Sequence, residues 1–351
     1  MRDLVVAGGG PVGLATALYA ARAGLDVVVR EPRRGAVDKA CGEGLMPGAV
    51  TALADLGVDP PGRRLDGIRY VDGSHRAEAT FRRGPGRGVR RTVLHSALQA
   101  AVAEAGVDVE HRAVGSVVHS LGHLVVDGQP SRYLVAADGL HSPLRRLLGL
   151  GTAPAASPVT SPPKSPKVRR YGLRCHAATA PWTPFVEVHW SPFGEAYVTP
   201  VGDDLVGVAV LSSERRGFTD LLATFPELER RLRGLDLSPV LGAGPLRQQS
   251  AARVQGRALL VGDAAGYVDA LTGEGIAIGL AQARAAVAAI TLDDPDAYEQ
   301  SWRRVRRKHD LLTHGLLAAT RRPVLRRRLV PTAALLPALF QVAVDQMARP
   351  A

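Results

Sequence analysis

A strand that ends in glycines and turns at once into a helix leaves few folds open. Residues 3–7 (DLVVA) are of buried-strand type, Gly8-Gly9-Gly10-Pro11-Val12-Gly13 follows, and LATALYAARAG continues as a helix packed through Ala and Leu. Leu25 to Val29 is a second apolar strand, ending at Arg30-Glu31. Together they predict a βαβ unit at the N-terminus. Gly8, Gly10 and Gly13 have the spacing that permits a tight turn and brings bare backbone against a pyrophosphate. The helix N-terminus supplies unpaired N–H groups and positive dipole for that charge. Glu31, eighteen residues beyond Gly13, stands at the end of the second strand, where an acid can accept hydrogen bonds from an adenosine ribose. Its negative charge disfavours a 2′-phosphate there.

The chain around this unit is 351 residues long, with 46% hydrophobic and 22% charged residues. That is globular composition, long enough for one large domain or two interleaved ones. Two cysteines, Cys41 and Cys175, exclude a disulfide scaffold and a Cys-rich zinc module and suggest a reducing compartment. Met1-Arg2-Asp3 runs straight into an apolar strand, which predicts no signal peptide. Pro331 and Pro337 interrupt the nearest candidate for a spanning helix, 329–344. A cytoplasmic protein is expected. The net charge of +11 invites a nucleic-acid reading. It is set aside, because the basic residues are spread along the chain and only 5% of residues are aromatic. A solvated basic surface, or attraction to anionic substrates or an anionic membrane, is preferred.

Beyond Glu31 come a Gly-rich charged loop (32–45) and a short helix near 47–56, with strands at 67–71 and 77–81 and a loop at 82–90. A helix at 92–105 leads to strands near 107–110, 113–118, 123–126 and 132–137. The Pro-rich stretch 151–167 reads as a linker. Residues 168–212 alternate in the manner of an antiparallel sheet, and a helix is expected at 216–233. A long Ala-rich helix follows at 274–290, and the tail 296–350 is helical and basic.

Two further motifs stand at strand ends. Asp138-Gly139-Leu140-His141-Ser142-Pro143 makes a strand-to-helix turn, with Arg145 at the helix start. Gly262-Asp263-Ala264-Ala265-Gly266 follows the apolar run 258–261, and Leu271-Thr272-Gly273-Glu274-Gly275-Ile276 opens the long helix. An Asp at a strand end can hold a sugar-alcohol hydroxyl. The helix start aims N–H groups and positive dipole at whatever sits beside it.

With these motifs in this order, the sequence resembles the FAD-dependent oxidoreductases of the para-hydroxybenzoate hydroxylase-like superfamily, over about residues 1–300. The resemblance implies an α/β fold: a Rossmann-like FAD-binding domain, an inserted antiparallel β-rich substrate domain and C-terminal helices. The expected division is 1–72, 91–150 and 245–300 for FAD, 73–90 and 151–244 for substrate, and 301–351 for the helical segment. It implies bound FAD, with Gly8, Gly10 and Gly13 on the pyrophosphate and Glu31 on the adenosine ribose. Arg33 or Arg34 would flank the adenine, and Arg91 would reach FAD from a helix start. Asp263 would hold the ribityl or phosphate portion, and Gly273, Gly275 and Ile276 the pyrimidine edge of the flavin ring. Asp138 and Arg145 match a motif linked to FAD and NAD(P)H handling.

Two activities compete. The first is an NAD(P)H-dependent monooxygenase that uses O2 to hydroxylate an aromatic, polyketide-like or alkyl-phenol or quinone molecule. The alternative is a geranylgeranyl reductase-like enzyme that reduces prenyl C=C bonds. Gly266 stands where the hydroxylases carry His, and Ala270 where they carry Pro. The segments Asp38–Leu45, Leu271–Ile276 and Glu195–Pro200 resemble the reductases instead. Hydroxylation is the leading expectation, and a non-catalytic flavin-binding partner protein is a minor third. With one dinucleotide fingerprint, NAD(P)H would bind transiently as electron donor, or a separate reductase would supply electrons. Cys41 and Glu43 are the candidate proton donors for C=C reduction. The plainer alternatives are a small buried residue and a loop-fixing hydrogen bond. No metal site is expected. The substrate is a small, lipophilic molecule, and the basic, apolar tail suits peripheral membrane contact as well as a cap on the FAD domain.

Overall fold

The first βαβ unit forms as the spacing requires. In the computed structural model, which describes residues 1–151 and 169–349, strands Arg2–Ala7 and Val27–Arg30 lie parallel, and helix Pro11–Arg22 crosses between them. Gln129–Ala136 pairs parallel with the other edge of Arg2–Ala7, and Ala258–Leu260 pairs parallel with Gln129–Ala136. Their Val and Leu side chains are fully buried, because helices and loops cover both faces of a parallel sheet. Three distant stretches of chain thus stand side by side, and Gly8, Asp138 and Gly262 emerge together at their carboxyl ends. That is where open α/β sheets bind ligands. The sheet has eight strands, with Asp108–Glu110 beyond Val27–Arg30 and the antiparallel strands Val117–Ser120 and His123–Val126 attached to Gln129–Ala136.

Helix Gly275–Thr291 packs on Pro11–Arg22 so closely that a Cβ on Gly279 would lie 2.3 Å from Val12 Cγ2. Only a glycine tolerates this approach. The helix starts at Gly275, where the turn Leu271–Glu274 meets the first unit.

The second unit is a seven-stranded sheet, in the order 241–243, 171–178, 205–212, 194–202, 185–191, 67–71 and 76–80. The expected alternation of 168–212 appears here as antiparallel pairs. Gly67–Val71 departs from expectation. It pairs parallel with Phe185–Ser191, in register Gly67↔Phe185 to Val71↔His189, so it belongs to this sheet and not to the segment 1–72. Gly67 permits this close pairing: a Cβ there would meet Phe185 at 2.8 Å and the Ala79 carbonyl at 2.1 Å. The 82–90 stretch is not all loop either. Gly86–Gly88 forms a small sheet with Gly44–Leu45 and Arg63–Leu65. The 216–233 helix is two helices, Phe218–Leu222 and Pro226–Leu232, because Pro226 lacks the N–H that a continuous helix needs. The strand expected at 113–118 is shifted to Val117–Ser120. Except for Gly151, the linker expected at 151–167 lies outside the described residues.

The tail forms three helices, Asp296–Thr320, Pro323–Leu335 and Pro337–Met347, with a proline opening each of the last two. One face of the second sheet (Tyr70, Val186, Val188, Trp190) packs against Leu317, Val330, Phe340, Val344 and Met347 of these helices, together with Met46 and Leu271. The tail is therefore part of the wall beside the strand-end motifs.

Within the second sheet, Glu187 is buried opposite Arg69 in direct register. Burial pushes its carboxyl pKa up, but hydrogen bonds from His189, Trp182 (2.8 Å) and Arg69 (2.9 Å) prevail and hold it at about 2. A carboxylate depressed on folding contributes stability above its unfolded pKa, near 4.5, and loses that contribution as pH falls through its folded value. Glu187→Gln should flatten the fall in urea-unfolding free energy between pH 4.5 and about 2. An unchanged acid slope would mean that Glu187 contributes nothing there.

Candidate functional site

The glycines of the first turn are not equivalent. Gly8 has φ +109°, and a Cβ there would lie 2.4 Å from the Ala137 carbonyl oxygen. A Cβ on Gly13 would lie 1.8 Å from the Gly8 carbonyl oxygen. Both positions are closed by the chain itself. Gly10 differs: the nearest atom to a Cβ there is an Arg91 Nη2 at 4.0 Å. Bare backbone at the start of a twelve-residue helix therefore faces open space with a guanidinium beside it. Among the described residues, the buried Arg91 Nε has no hydrogen-bond partner, and neither has the Asp138 Oδ1. Buried polar atoms are normally paired, so a bare-backbone cradle with an orphaned donor and an orphaned acceptor fits the pyrophosphate and sugar hydroxyls of FAD.

Glu31 is buried and held by three hydrogen-bond donors: the Gly9 N–H (2.8 Å), the Arg33 N–H (3.0 Å) and the Arg33 guanidinium (2.7 and 2.9 Å). Burial raises its pKa, but the Arg33 and Gly9 bonds outweigh it and keep the group a carboxylate. Arg33 thus joins Glu31 at the end of the second strand, whereas Arg34 is exposed and makes no hydrogen bond or ion pair among the described residues. Two residues absent from the expected cofactor set also stand here. His95 donates from Nε2 to the Gly9 carbonyl (2.7 Å) and accepts the Val37 N–H at Nδ1 (3.2 Å). That arrangement needs a neutral ring, and burial lowers its pKa accordingly. The Lys39 ammonium is lowered by desolvation and by the neighbouring Arg33 and Arg91. Asp263 lies near enough to support its charge. The Leu94-His95 pair within the Arg91 helix was the available signal for His95; a single Lys in a loop gave none.

The second and third motifs are clamped together. Asp138 Oδ2 accepts the Leu144 N–H (3.0 Å), and the Ser142 hydroxyl accepts the Arg145 N–H (2.8 Å) as a helix cap. The Arg145 guanidinium donates to the carbonyls of Leu140 (3.1 Å), Asp263 (3.4 Å) and Ala264 (3.0 Å) and to Gln248 (3.2 Å). Arg145 is thereby a staple between two loops, its guanidinium donors spent on the chain. Asp263 has its carboxyl pKa raised by burial, against the pull of Lys39, Arg91, Arg306 and Arg145. Gly273, φ +69°, lies against Met46, whose Cε would be 3.5 Å from a Cβ there. Gly275 opens its helix beneath the Tyr267 ring, and Ile276 packs on the first core.

Cys41 and Glu43 sit where the two units meet. Glu43 is buried, with left-handed backbone (φ 59°) that a non-glycine residue adopts only under constraint. Its Oε1 accepts the Arg91 N–H (2.8 Å) and its Oε2 accepts from His176 Nε2 (2.7 Å). Arg174 donates to His176 Nδ1 (3.2 Å) and pairs with Asp38. The Cys41 Sγ accepts the Glu43 N–H (3.4 Å). Burial pushes the Cys41 thiol up, so it holds its proton at neutral pH. Cys41 and Asp263 both bear electrostatically on Tyr267, and Arg91 bears on Cys41. From the second sheet, Thr199 donates to the Gly42 carbonyl and Tyr197 to the Leu271 carbonyl, each at 2.8 Å.

The geometry separates two glycine substitutions that a motif would treat alike. Gly10→Val should leave the fold intact, because its side chain enters open space, and should remove bound FAD. Absence of the yellow chromophore with unchanged circular dichroism is the expected result. Equal flavin content in the variant would show that the pyrophosphate lies elsewhere.

No protein-family model matches the chain. The menaquinone reductase of Mycolicibacterium smegmatis is 32% identical over 350 residues, covering 88% of this chain and 80% of the relative. The digeranylgeranylglycerophospholipid reductase 1 of Methanothermobacter thermautotrophicus is 29% identical, covering 79% of this chain and 74% of the relative. Among solved structures, a flavoprotein/dehydrogenase from Cytophaga hutchinsonii superposes with a TM-score of 0.82 at 16% identity, over 99% of this chain and 92% of that one. A flavin-dependent brominase superposes with a TM-score of 0.81 at 17% identity, over 99% and 93%. These two likenesses establish the α/β fold and leave the reaction open.

Proposed function

Because this chain belongs to the FAD-dependent oxidoreductase family that includes the Mycolicibacterium smegmatis menaquinone reductase, we propose that it reduces a C=C bond in the isoprenoid chain of a lipophilic molecule, such as a prenylated quinone. The alternative weighed from the sequence thus displaces hydroxylation as the leading reading. The supporting observation is that two reductase relatives each cover more than three quarters of this chain. Beside the Gly273 turn, Met46 and Leu271 pack with Val186, Val188, Tyr70 and Trp190 of the sheet and Phe340 and Val344 of the tail into one buried apolar cluster, which frames the site in hydrocarbon.

Reduction adds a hydride to one carbon of the double bond and a proton to the other. Bound FAD, once reduced by NAD(P)H or by a separate reductase, supplies hydride chemistry. The chain's task is to hold the double bond against the Gly273–Gly275 turn, exclude water and deliver the proton. The N-terminus of helix Gly275–Thr291 places positive dipole where negative charge accumulates. Cys41 is the proton donor in this reading: its thiol is protonated at neutral pH and sits in the loop whose Glu43 N–H it accepts. Solvent restores the proton to the thiolate after each turnover. Glu43 acts as a positioning residue, because both of its oxygens are engaged by Arg91 and His176. Gly10, Glu31, Arg91, Asp138 and Asp263 would hold FAD, with Gly8 and Gly13 closing the turn that presents Gly10.

Anaerobic incubation of the FAD-loaded protein with a chemical reductant and a polyprenyl quinone tests this. The expected product is heavier by two hydrogens in its side chain. A product that forms only with O2 and gains one oxygen would instead establish hydroxylation. Cys41→Ala should lower kcat by about 10²-fold or more, as removal of a positioned general acid does, with flavin content unchanged. An undiminished kcat would remove Cys41 from the proton path while leaving the reaction itself standing.

A further inference from the structure

The tail carries more apolar surface than its packing uses. Helices Pro323–Leu335 and Pro337–Met347 bury Val330, Phe340, Val344 and Met347 against the second sheet and its neighbours. Their other side is exposed and also apolar. Leu335 is 79% exposed, Leu336 50%, Leu339 62% and Val342 53%. Leu335 and Leu336 form the bend between the helices, and Leu339 and Val342, three residues apart, share one face of the second helix. Val324, 68% exposed, lies on the same helical face as Arg328 and Leu335 by its spacing of four and eleven residues. Isolated exposed leucines need no explanation, but a cluster at a bend does.

The charge around this cluster is one-sided. From Leu311 to Val344 the sequence contains no Asp or Glu, and it contains Arg321, Arg322, Arg326, Arg327 and Arg328. Among these, Arg321, Arg322, Arg327 and Arg328 are exposed. The two helices together have the length and composition of a membrane span, but they are bent by 102°. Neither alone approaches the roughly 20 residues that crossing requires. An acid-free, arginine-bearing, bent apolar pair is built to lie in an interface, with leucines among the acyl chains and guanidinium groups at anionic headgroups.

We propose that the bend at Leu335–Leu336, with Leu339 and Val342 and the neighbouring Arg327 and Arg328, docks the protein on the surface of an anionic lipid bilayer. None of its residues is among those assigned to FAD or to proton delivery. Docking is independent of which reaction the protein catalyses. It would place the wall that these helices complete next to the phase in which a lipophilic substrate resides.

The test is co-flotation of the FAD-loaded full chain with vesicles of phosphatidylcholine alone or of phosphatidylcholine with phosphatidylglycerol. Binding is expected to the mixed vesicles and to be at least about tenfold weaker on phosphatidylcholine alone. Leu336→Ser with Leu339→Ser should abolish it. Arg327→Gln with Arg328→Gln should weaken it and reduce its salt dependence. All of these side chains except the bend backbone are solvent-facing, so flavin content and thermal midpoint should match the parent protein. Failure to float with the mixed vesicles would overturn the proposal, as would binding that neither double variant changes. A concentration-dependent dimer that the leucine variant dissociates, without vesicle binding, would assign the patch to a second copy of the chain instead. Turnover of a detergent-solubilised substrate by the leucine variant should equal that of the parent, which separates loss of docking from loss of the reductase reaction.

Discussion

Everything in this protein is referenced to two backbone approaches. A Cβ on Gly8 would meet the Ala137 carbonyl, and a Cβ on Gly13 would meet the Gly8 carbonyl. Because neither residue has a side chain, the strand ends at Ala7 and Ala136 and the start of helix Pro11–Arg22 close to within contact. The first consequence is geometric: Asp138 and Gly262 are carried to the same edge, since their strands are hydrogen-bonded in order beside Arg2–Ala7. The second is electrostatic. The helix N-terminus at Gly10 and the Arg91 guanidinium share one opening, while Glu31 is neutralised by Arg33 at its side. An anion can enter the middle of the site and not its end.

The second unit is attached to this edge by polar contacts with few alternatives. Glu43 joins the loop after the second strand to the Arg91 helix and to His176 on the far sheet. Thr199 and Tyr197 hold the Gly42 and Leu271 carbonyls. Gly88 allows the small sheet to approach Pro200, whose carbonyl oxygen would be 1.7 Å from a Cβ there. Hydrogen bonds to buried charged groups are each worth about 1.5–3 kcal/mol, and more is lost when one partner is left unpaired. The two sheets therefore hold a fixed relation at the loop that carries Cys41. Arg306 adds the tail to the same frame: it donates to the Gly266 carbonyl (2.5 Å), pairs with Asp310 and lies over Trp302. His309 meets Glu274 at 2.9 Å. Gly266, which stands where the hydroxylases carry His, is thus a backbone acceptor for a tail arginine.

The first unit was legible because its signals are local: glycines at fixed spacing, a strand before them and an acid after the next strand. The fold class followed from the order of three such motifs. What was not legible is what depends on pairing between distant segments. Gly67–Val71 has the composition of a strand in either unit, and only its parallel partner Phe185–Ser191 assigns it. The roles of Arg145 and His95 were hidden for the same reason. Each side chain bonds chiefly to backbone groups, several of them in segments remote in sequence, and backbone groups carry no residue identity. Of the candidate site, the turn glycines, Glu31, Arg91 and Asp263 stand near one another as their motifs imply, whereas Arg34 remains apart.

The tail shows how far composition alone can mislead. Its arginines look alike in sequence, yet they divide sharply in the structure. Arg306 is buried and spends its donors on Gly266 and Asp310. Arg326 is partly buried near Glu195, a carboxyl pushed up to about 7 by burial and by Asp269. Arg327 and Arg328 face solvent. The two readings of a basic helical tail, cap on the FAD unit and contact with a lipid surface, were posed as alternatives, but burial assigns them to different residues of the same helices. The inward side completes an apolar wall through Phe340 and Val344, and the outward side leaves Leu335, Leu336 and Leu339 in water. A surface that is apolar and cationic at once is matched by one that is apolar and anionic at once, and a bilayer of anionic lipid has that character over its whole extent.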